Sequence, residues 1–270
     1  MDQSTFEQIQ RIVMAESAIV LNPEKEYLVD ARLRPICRQR GFEDLNELAK
    51  ALDQRDPELI RLVVEALTTN ETSFFRDRHP FETFKQDILP ELIERHSSAR
   101  TLRIWSGASS SGQEPVSLAL ILHEHFPELR DWDVRILATD INQQMIDRCS
   151  SGYYSELEVS RGLHPLQLNR FFTKSGMGWV LKPEVLNRIE YRQMNLAAPF
   201  PPIDRMDVIF LRNVLIYFDE DTKRGILERV SKVLKPDGYL LLGTAESTRD
   251  LPGIFNSRNM GRTLLFQRAA

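Results

Sequence analysis

The residues able to do chemistry fall into a few short polar clusters, each following an apolar run. Residues 104–115, IWSGASSSGQEP, set Gly107 and Gly112 in a G-x-x-x-x-G spacing behind Leu102, Ile104 and Trp105. A phosphate-binding loop would continue with Lys and Ser or Thr, because the ammonium must reach the β- and γ-phosphates. Gln113 and Glu114 stand there instead. A loop offering a carboxylate in that place suits a neutral or cationic ligand by Coulomb attraction. Glu114 can equally be a first-turn acid that complements a helix dipole, an effect of about 0.3–1 kcal/mol. Asp140 closes the next apolar run, where an acid commonly accepts hydrogen bonds from ribose hydroxyls; its alternative role is to cap a helix after Ile141. Asn195-Leu196 and Arg212-Asn213 close two further runs. Upstream, TTNETSFFRD (68–77) gathers Asn70, Thr72, Ser73 and Arg76 around Phe74 and Phe75. Thr68 or Asn70 as a cap, with the phenylalanines in the core, is the plainer account of that stretch.

The elements that must position these clusters change character near residue 70. Up to about residue 67 the chain reads as helical throughout. Asn22-Pro23 opens a helix towards Gly41, with Asn as cap and Pro in the first turn, and Pro35 is expected to kink or end it. A second helix covers about 44–52. A third starts at Asp56-Pro57 and aligns Leu59, Leu62, Val63 and Leu67. Beyond residue 70 strands and helices alternate: strand 101–105, helix 113–125, strand 134–139, helix 142–149, strand 207–211 and helix 220–234 ending at Lys235. Pro236-Asp237-Gly238 reads as a turn before strand 239–242, and 263–266 is expected to return antiparallel beside it. Such alternation predicts a doubly wound, mostly parallel sheet, whose ligands sit at the carboxyl ends of the strands. Between 152 and 194 the rhythm breaks into one short helix (166–172), Gly176, Gly178 and two candidate strands, read as an inserted subdomain.

Composition narrows the function classes. The 270 residues are 42% hydrophobic and 27% charged, with a net charge of −4, so no broad basic field invites nucleic acid. MDQSTFEQIQ lacks the basic and apolar parts of a signal peptide, and no apolar run nears the roughly 20 residues of a membrane span. Cys37 and Cys149 form no C-x-x-C pair, which argues for a cytosolic chain with no structural metal. Taken with these bounds, the four strand ends favour a nucleoside without phosphates. S-adenosylmethionine meets the requirement: ribose hydroxyls for Asp140, and an ammonium and a sulfonium for nearby carboxylates.

The clusters also have a collective likeness. N-x-T-x-F-F-R at 70–76, WSGASSSGQEP, Thr139-Asp140-Ile141, Asn195-Leu196 and RNVLIYF at 212–218 together resemble the chemoreceptor glutamate methyltransferases, the CheR family. The resemblance runs from Tyr27-Leu28 to the terminal hairpin. It implies a class I S-adenosylmethionine-dependent fold, Rossmann-like with an antiparallel C-terminal strand. An all-α docking domain would occupy 1–70, the methyltransferase domain 71–270, and a small β-subdomain 152–194 within it. It implies cofactor contacts at Asn70, Thr72, Arg76, Glu114, Asp140, Asn195, Leu196, Arg212 and Asn213. Arg76 and Tyr217 would lie near the transferred methyl and the incoming carboxylate. The family's loop usually reads A-x-S-T-G-E-E; Gln113 departs from it and leaves the second acid in place. The implied reaction converts receptor glutamates to methyl esters and leaves S-adenosylhomocysteine. A carboxylate with an ordinary pKa of about 4.3 is already ionised at neutral pH, so no general base is needed.

The implied partners are the cytoplasmic helices of chemoreceptors, reached by a cytoplasmic monomer that meets the membrane only through them. Arg32, Arg34, Arg38 and Arg40 match the family's basic docking helix, with a solvated helix face as the alternative. This basic face is local, since residues 1–67 hold 9 Lys and Arg against 13 Asp and Glu. Some members use the inserted subdomain to add a receptor-tail peptide to a sheet edge. The loop TKSGMGW is short beside theirs and favours tail-independent recognition. A methyltransferase of another acceptor would need a different recognition surface, and an adaptor that only senses cofactor would not need Arg76 and Tyr217. A dehydrogenase is disfavoured by the missing G-x-G-x-x-G.

Overall fold

A computed structural model describes residues 1–248 and 253–269. The chain divides into two compact units, Met1–Thr69 with Tyr217–Lys223, and Asn70–Ile216 with Arg224–Ala270.

The first unit is built on four helices: Gln3–Ser17, Glu26–Arg40, Leu45–Leu52 and Pro57–Leu67. Their starts follow from side-chain caps. Asp2 accepts from the Thr5 amide, Asp44 from Glu47 and Asp56 from Glu58. Asn22 caps a short turn, Pro23–Lys25, which leads into the second helix. Gly41 closes that helix at φ +79°, a conformation that costs glycine nothing. Pro35 neither ends nor splits it: buried Leu33, Ile36 and Cys37 hold the helix to its neighbours on either side of the missing N–H. Ile60 and Val64 join Leu59, Val63 and Leu67 in the buried face of the fourth helix, while Leu62 is only half-buried.

The second unit carries a seven-stranded sheet of β1 (Thr101–Gly107), β2 (Asp133–Asp140), β6 (Ile189–Gln193), β7 (Met206–Leu211), β8 (Leu234–Leu242), β9 (Phe255–Met260) and β10 (Thr263–Arg268). Their order is β6-β2-β1-β7-β8-β10-β9. The pairs from β6 to β8 are parallel, and β10 runs antiparallel to both of its neighbours, with Leu265 opposite Leu241. Register aligns the carboxyl ends: Gly107 pairs Thr139 and Leu211, Leu211 pairs Leu242, and Asp140 pairs Gln193. Completely buried Ile104, Trp105, Val208 and Phe210 explain why the central strands are nearly continuous apolar runs.

Helices His79–Thr83, Leu89–Arg95, Glu156–Ser160 and Pro183–Leu186 are not expected from the sequence, and two further differences bear on the sheets. Lys235–Gly238 does not separate helix from strand; it is an irregularity inside β8, where the register jumps between Met206/Leu234 and Val208/Tyr239. The Lys235 ammonium binds buried Asp207 at 2.7 Å and fixes that kink. The stretch 152–194 holds three short antiparallel strands rather than two, β3 (Tyr153–Ser155), β4 (Phe172–Ser175) and β5 (Gly178–Leu181), in the order β3-β5-β4. Its last residues, 189–193, are β6 of the main sheet, so the added sheet closes earlier than 194.

Candidate functional site

The turn after β1 directs three of its amides inward. Ser109 N–H donates to the Thr139 carbonyl at 2.9 Å, Ser110 N–H to Asp140 at 2.8 Å and Gly112 N–H to the Ser109 carbonyl at 2.9 Å. Ala108, Ser110 and Gly112 have positive φ, and a Cβ on Gly112 would stand 2.9 Å from both Cys149 Sγ and Tyr154 Oη. With Ser109 and Ser110 N–H engaged by β2 and Glu114 in the lysine's place, the turn lacks the cation of a phosphate-binding loop. Ser109 Oγ is buried with no partner in this wall.

Asp140 sits under the turn. One carboxylate oxygen accepts from Ser110 N–H and the other from Asn142 N–H at 2.9 Å. Helix Gln143–Ser151 is capped by Asn142, not by Asp140, which disposes of the capping alternative. Burial raises the Asp140 pKa, against the opposing pull of the Asn142 and Ser110 amides. With the Ile141 amide also pulling on it, at most three of its roughly four lone-pair positions are engaged, which leaves acceptor capacity for a sugar hydroxyl.

Glu114 is also more than a dipole partner. Its carboxylate accepts from Ser106 Oγ at 2.8 Å and from Arg212 Nη1 at 2.9 Å. Burial raises its pKa, opposed by Arg212, Ser106 and the nearby charge of Arg76. Arg212 sends its other fork arm to Asp77 at 2.6 Å and to the Arg76 carbonyl at 3.1 Å. With 2% of its side chain exposed and the Phe81 ring 5.6 Å away, this guanidinium is a bracket inside the wall. Any contact between Arg212 and a ligand is therefore left to its backbone.

The 68–77 cluster is strained. Phe75, Asp77 and Arg78 all have positive φ, and the His79 N–H to Asp77 carbonyl bond closes a tight turn at Arg78. Strain of this kind gathers at functional sites. Phe74 is core, packed on Tyr154 and Phe172, as the plainer reading held, while Phe75 N–H binds Ser117 Oγ. Arg76 is half-buried, donates to the Glu71 carbonyl at 2.9 Å and adds positive potential to Glu114. Thr72 is half-buried, and the Asn70 carbonyl accepts from Ser110 Oγ at 2.8 Å, which ties this cluster to the β1 turn.

At the third strand end, Asn195 Oδ1 accepts the Ala197 amide, and buried Leu196 has its carbonyl held by Arg229 Nη2 at 2.7 Å. At the fourth, Asn213 is half-buried with φ +58°. The cluster thus brings Asn70, Arg76, Glu114, Asp140, Arg212 and the Met194–Leu196 stretch into one bonded framework; Met194 N–H reaches the Asp140 carbonyl at 2.8 Å. Tyr217 belongs to the helical unit, half-buried, and its carbonyl accepts the Val20 amide at 2.9 Å. Sequence reasoning missed Asp77, Arg229 and Glu246. Asp77 was within the quoted motif, but nothing local announces its partner 135 positions away.

In the helical unit the four arginines divide. Arg32 donates to the Leu67 and Thr68 carbonyls at 3.0 and 3.1 Å, closing the fourth helix. Arg34 pairs with Asp30 and Arg40 with Glu58. Arg38 is exposed, and its side chain makes no ion pair or hydrogen bond among the described residues.

A buried acid under a turn that lacks a lysine, a second acid in the first turn of the helix that follows and a pair of strand-end loops fit an adenosine with a cationic substituent better than a nucleotide. Comparison with known proteins agrees. Residues 70–263 match the family described as "CheR methyltransferase, SAM binding domain", and residues 4–68 match "CheR methyltransferase, all-alpha domain". "Chemotaxis protein methyltransferase 1" of Pseudomonas aeruginosa is 42% identical over 252 residues, 92% of this chain and 91% of the relative. "Chemotaxis protein methyltransferase Cher2" of Pseudomonas putida is 38% identical over 269 residues, 97% of each. "Chemotaxis protein methyltransferase 1" of Vibrio cholerae is 39% identical over 250 residues, 91% of this chain and 90% of the relative.

Proposed function

Because the chain belongs to the CheR methyltransferase family, with an S-adenosylmethionine-binding domain of class I architecture, we propose that it methylates glutamate side chains on the cytoplasmic helices of bacterial chemoreceptors. The observation that carries the cofactor half of this reading is the pair of acids at the turn after β1, buried Asp140 and largely buried Glu114, where a phosphate site would place a cation.

S-adenosylmethionine supplies an electrophilic methyl group, and the products are a glutamyl methyl ester and S-adenosylhomocysteine. The chain's own work is to bind, orient and exclude water. Asp140 takes the ribose hydroxyls, Glu114 the positive end, and Asn70, Thr72, Asn195, Leu196 and the Arg212-Asn213 backbone complete the wall. Arg76 orients the acceptor carboxylate, and Tyr217 donates to it or stacks beside it. An ionised carboxylate needs no base, only desolvation and in-line placement, worth several orders of magnitude in effective concentration. The enzyme works in the cytoplasm as a monomer. It meets its receptor through Arg38 and neighbouring arginines of Glu26–Arg40, without a tethered receptor tail.

Arg76→Ala tests the acceptor half. Turnover at saturating cofactor should fall about 100-fold or more while the melting temperature holds, the scale for losing one preorganised charge. Wild-type turnover in that variant contradicts the assigned role.

A further inference from the structure

Glu246 lies outside every motif that carries the family likeness, just beyond the carboxyl end of β8. Its carboxylate, 9% exposed as a residue, accepts four backbone N–H groups. One oxygen takes Gly243 at 2.7 Å and Asn213 at 2.8 Å; the other takes Leu215 at 2.7 Å and Val214 at 2.8 Å. Four donors on one carboxylate fill the acceptor sites of both oxygens. The approach is close: a Cβ on Gly243 would stand 2.7 Å from that carboxylate and 2.9 Å from Asn213 N. Three successive amides, 213 to 215, converge on one anion because Asn213 turns into the left-handed region at φ +58°.

We propose that Glu246 is a positioning residue for the cofactor site. Its negative charge, rather than its bulk, holds the Arg212–Leu215 turn in the shape that presents Asn213 to S-adenosylmethionine. Without an anion, three neighbouring N–H dipoles would point at one another's positive ends, and the left-handed Asn213 would have nothing to repay its strain. The inference rests on the reading of Asn213 as a cofactor contact. It adds that β8 carries an anchor for β7's terminal loop, which makes two adjacent strand ends a single binding edge.

Glu246→Gln and Glu246→Asp separate charge from shape. Gln keeps the size but sets an NH2 donor against backbone donors; Asp is one methylene shorter but accepts only. Affinity for S-adenosylhomocysteine, measured by calorimetry on the full chain, should fall at least tenfold in Glu246→Gln. It should fall clearly less in Glu246→Asp. Hydrogen exchange should show amides 213–215 losing protection in the Gln variant while β1 and β7 keep theirs. Equal affinity in Gln and wild type, or Gln binding as well as or better than Asp, overturns the proposal. A wild-type protein that binds no S-adenosylhomocysteine would instead strike the cofactor reading itself, and the hydrogen-exchange comparison would still decide whether the charge holds the turn.

Discussion

At the scale of single residues, the site is a set of buried charges that hold one another. Glu114 and Asp140 both have pKa values raised by burial, and a cation brought beside them would favour their ionised forms. The sign follows. Below the raised pKa of the free protein, binding must displace a proton, so affinity for S-adenosylmethionine should fall as pH is lowered through that raised pKa. Glu114→Gln should bind more weakly at neutral pH and show a flatter pH profile in calorimetry; an unchanged profile in that variant would remove Glu114 from the linkage. Residue types made these two acids legible in the sequence. Their partners were not, because Ser106, Arg212 and Asp77 converge only once β1, β7 and the segment after residue 70 come together. The family resemblance places Arg212 among the cofactor contacts, and only the fold shows its fork closed on Glu114 and Asp77.

At the scale of elements, each binding loop is set by a local device and fastened by a distant one. Gly162, at φ +105°, lies so near Phe74 that a Cβ there would sit 2.0 Å from the Phe74 carbonyl. Gly162→Ala should therefore cost about 2 kcal/mol or more in thermal or denaturant unfolding, at the upper end of ordinary substitutions. It should also weaken cofactor binding, because Phe74 leads into Arg76. The basic stretch of Glu26–Arg40 makes a second case. Four arginines in nine residues suggested one docking face, yet Arg32 closes a helix end through two carbonyls and Arg34 and Arg40 are paired. Arg32→Ala should lower stability by about 1 kcal/mol, the scale of a cation at a helix C-terminus. Arg38→Glu should leave the melting temperature unchanged and weaken receptor methylation, read as a rise in KM for receptor. Equal loss of stability in both variants would contradict the division. Helix caps, the Gly41 stop and the alternation after residue 70 could be read in advance because each rests on near neighbours. The kink at Lys235–Gly238 and the third strand of the small sheet could not, since they depend on Asp207 and on pairing between segments distant in sequence, such as Tyr154 with Trp179.

At the scale of the whole molecule, a helical unit and a sheet unit correspond to the two halves of the family match. The mostly parallel sheet and its single reversed strand were foreseeable from strand–helix alternation and from the apolar run at 263–266; the strand order was not. The assignment of 217–223 to the helical unit was not, because in sequence Tyr217 continues directly from the β7 loop. No helix among the described residues is long and apolar enough to cross a membrane. The central claim is the transfer of a methyl group to a receptor glutamate. Incubating the protein with tritium-labelled S-adenosylmethionine and bacterial membranes that contain chemoreceptors, then treating the labelled protein with mild base, tests it directly. Label should appear on receptor-sized bands and leave as volatile methanol, the mark of a carboxyl methyl ester. Cofactor binding without base-labile label on any receptor would contradict it.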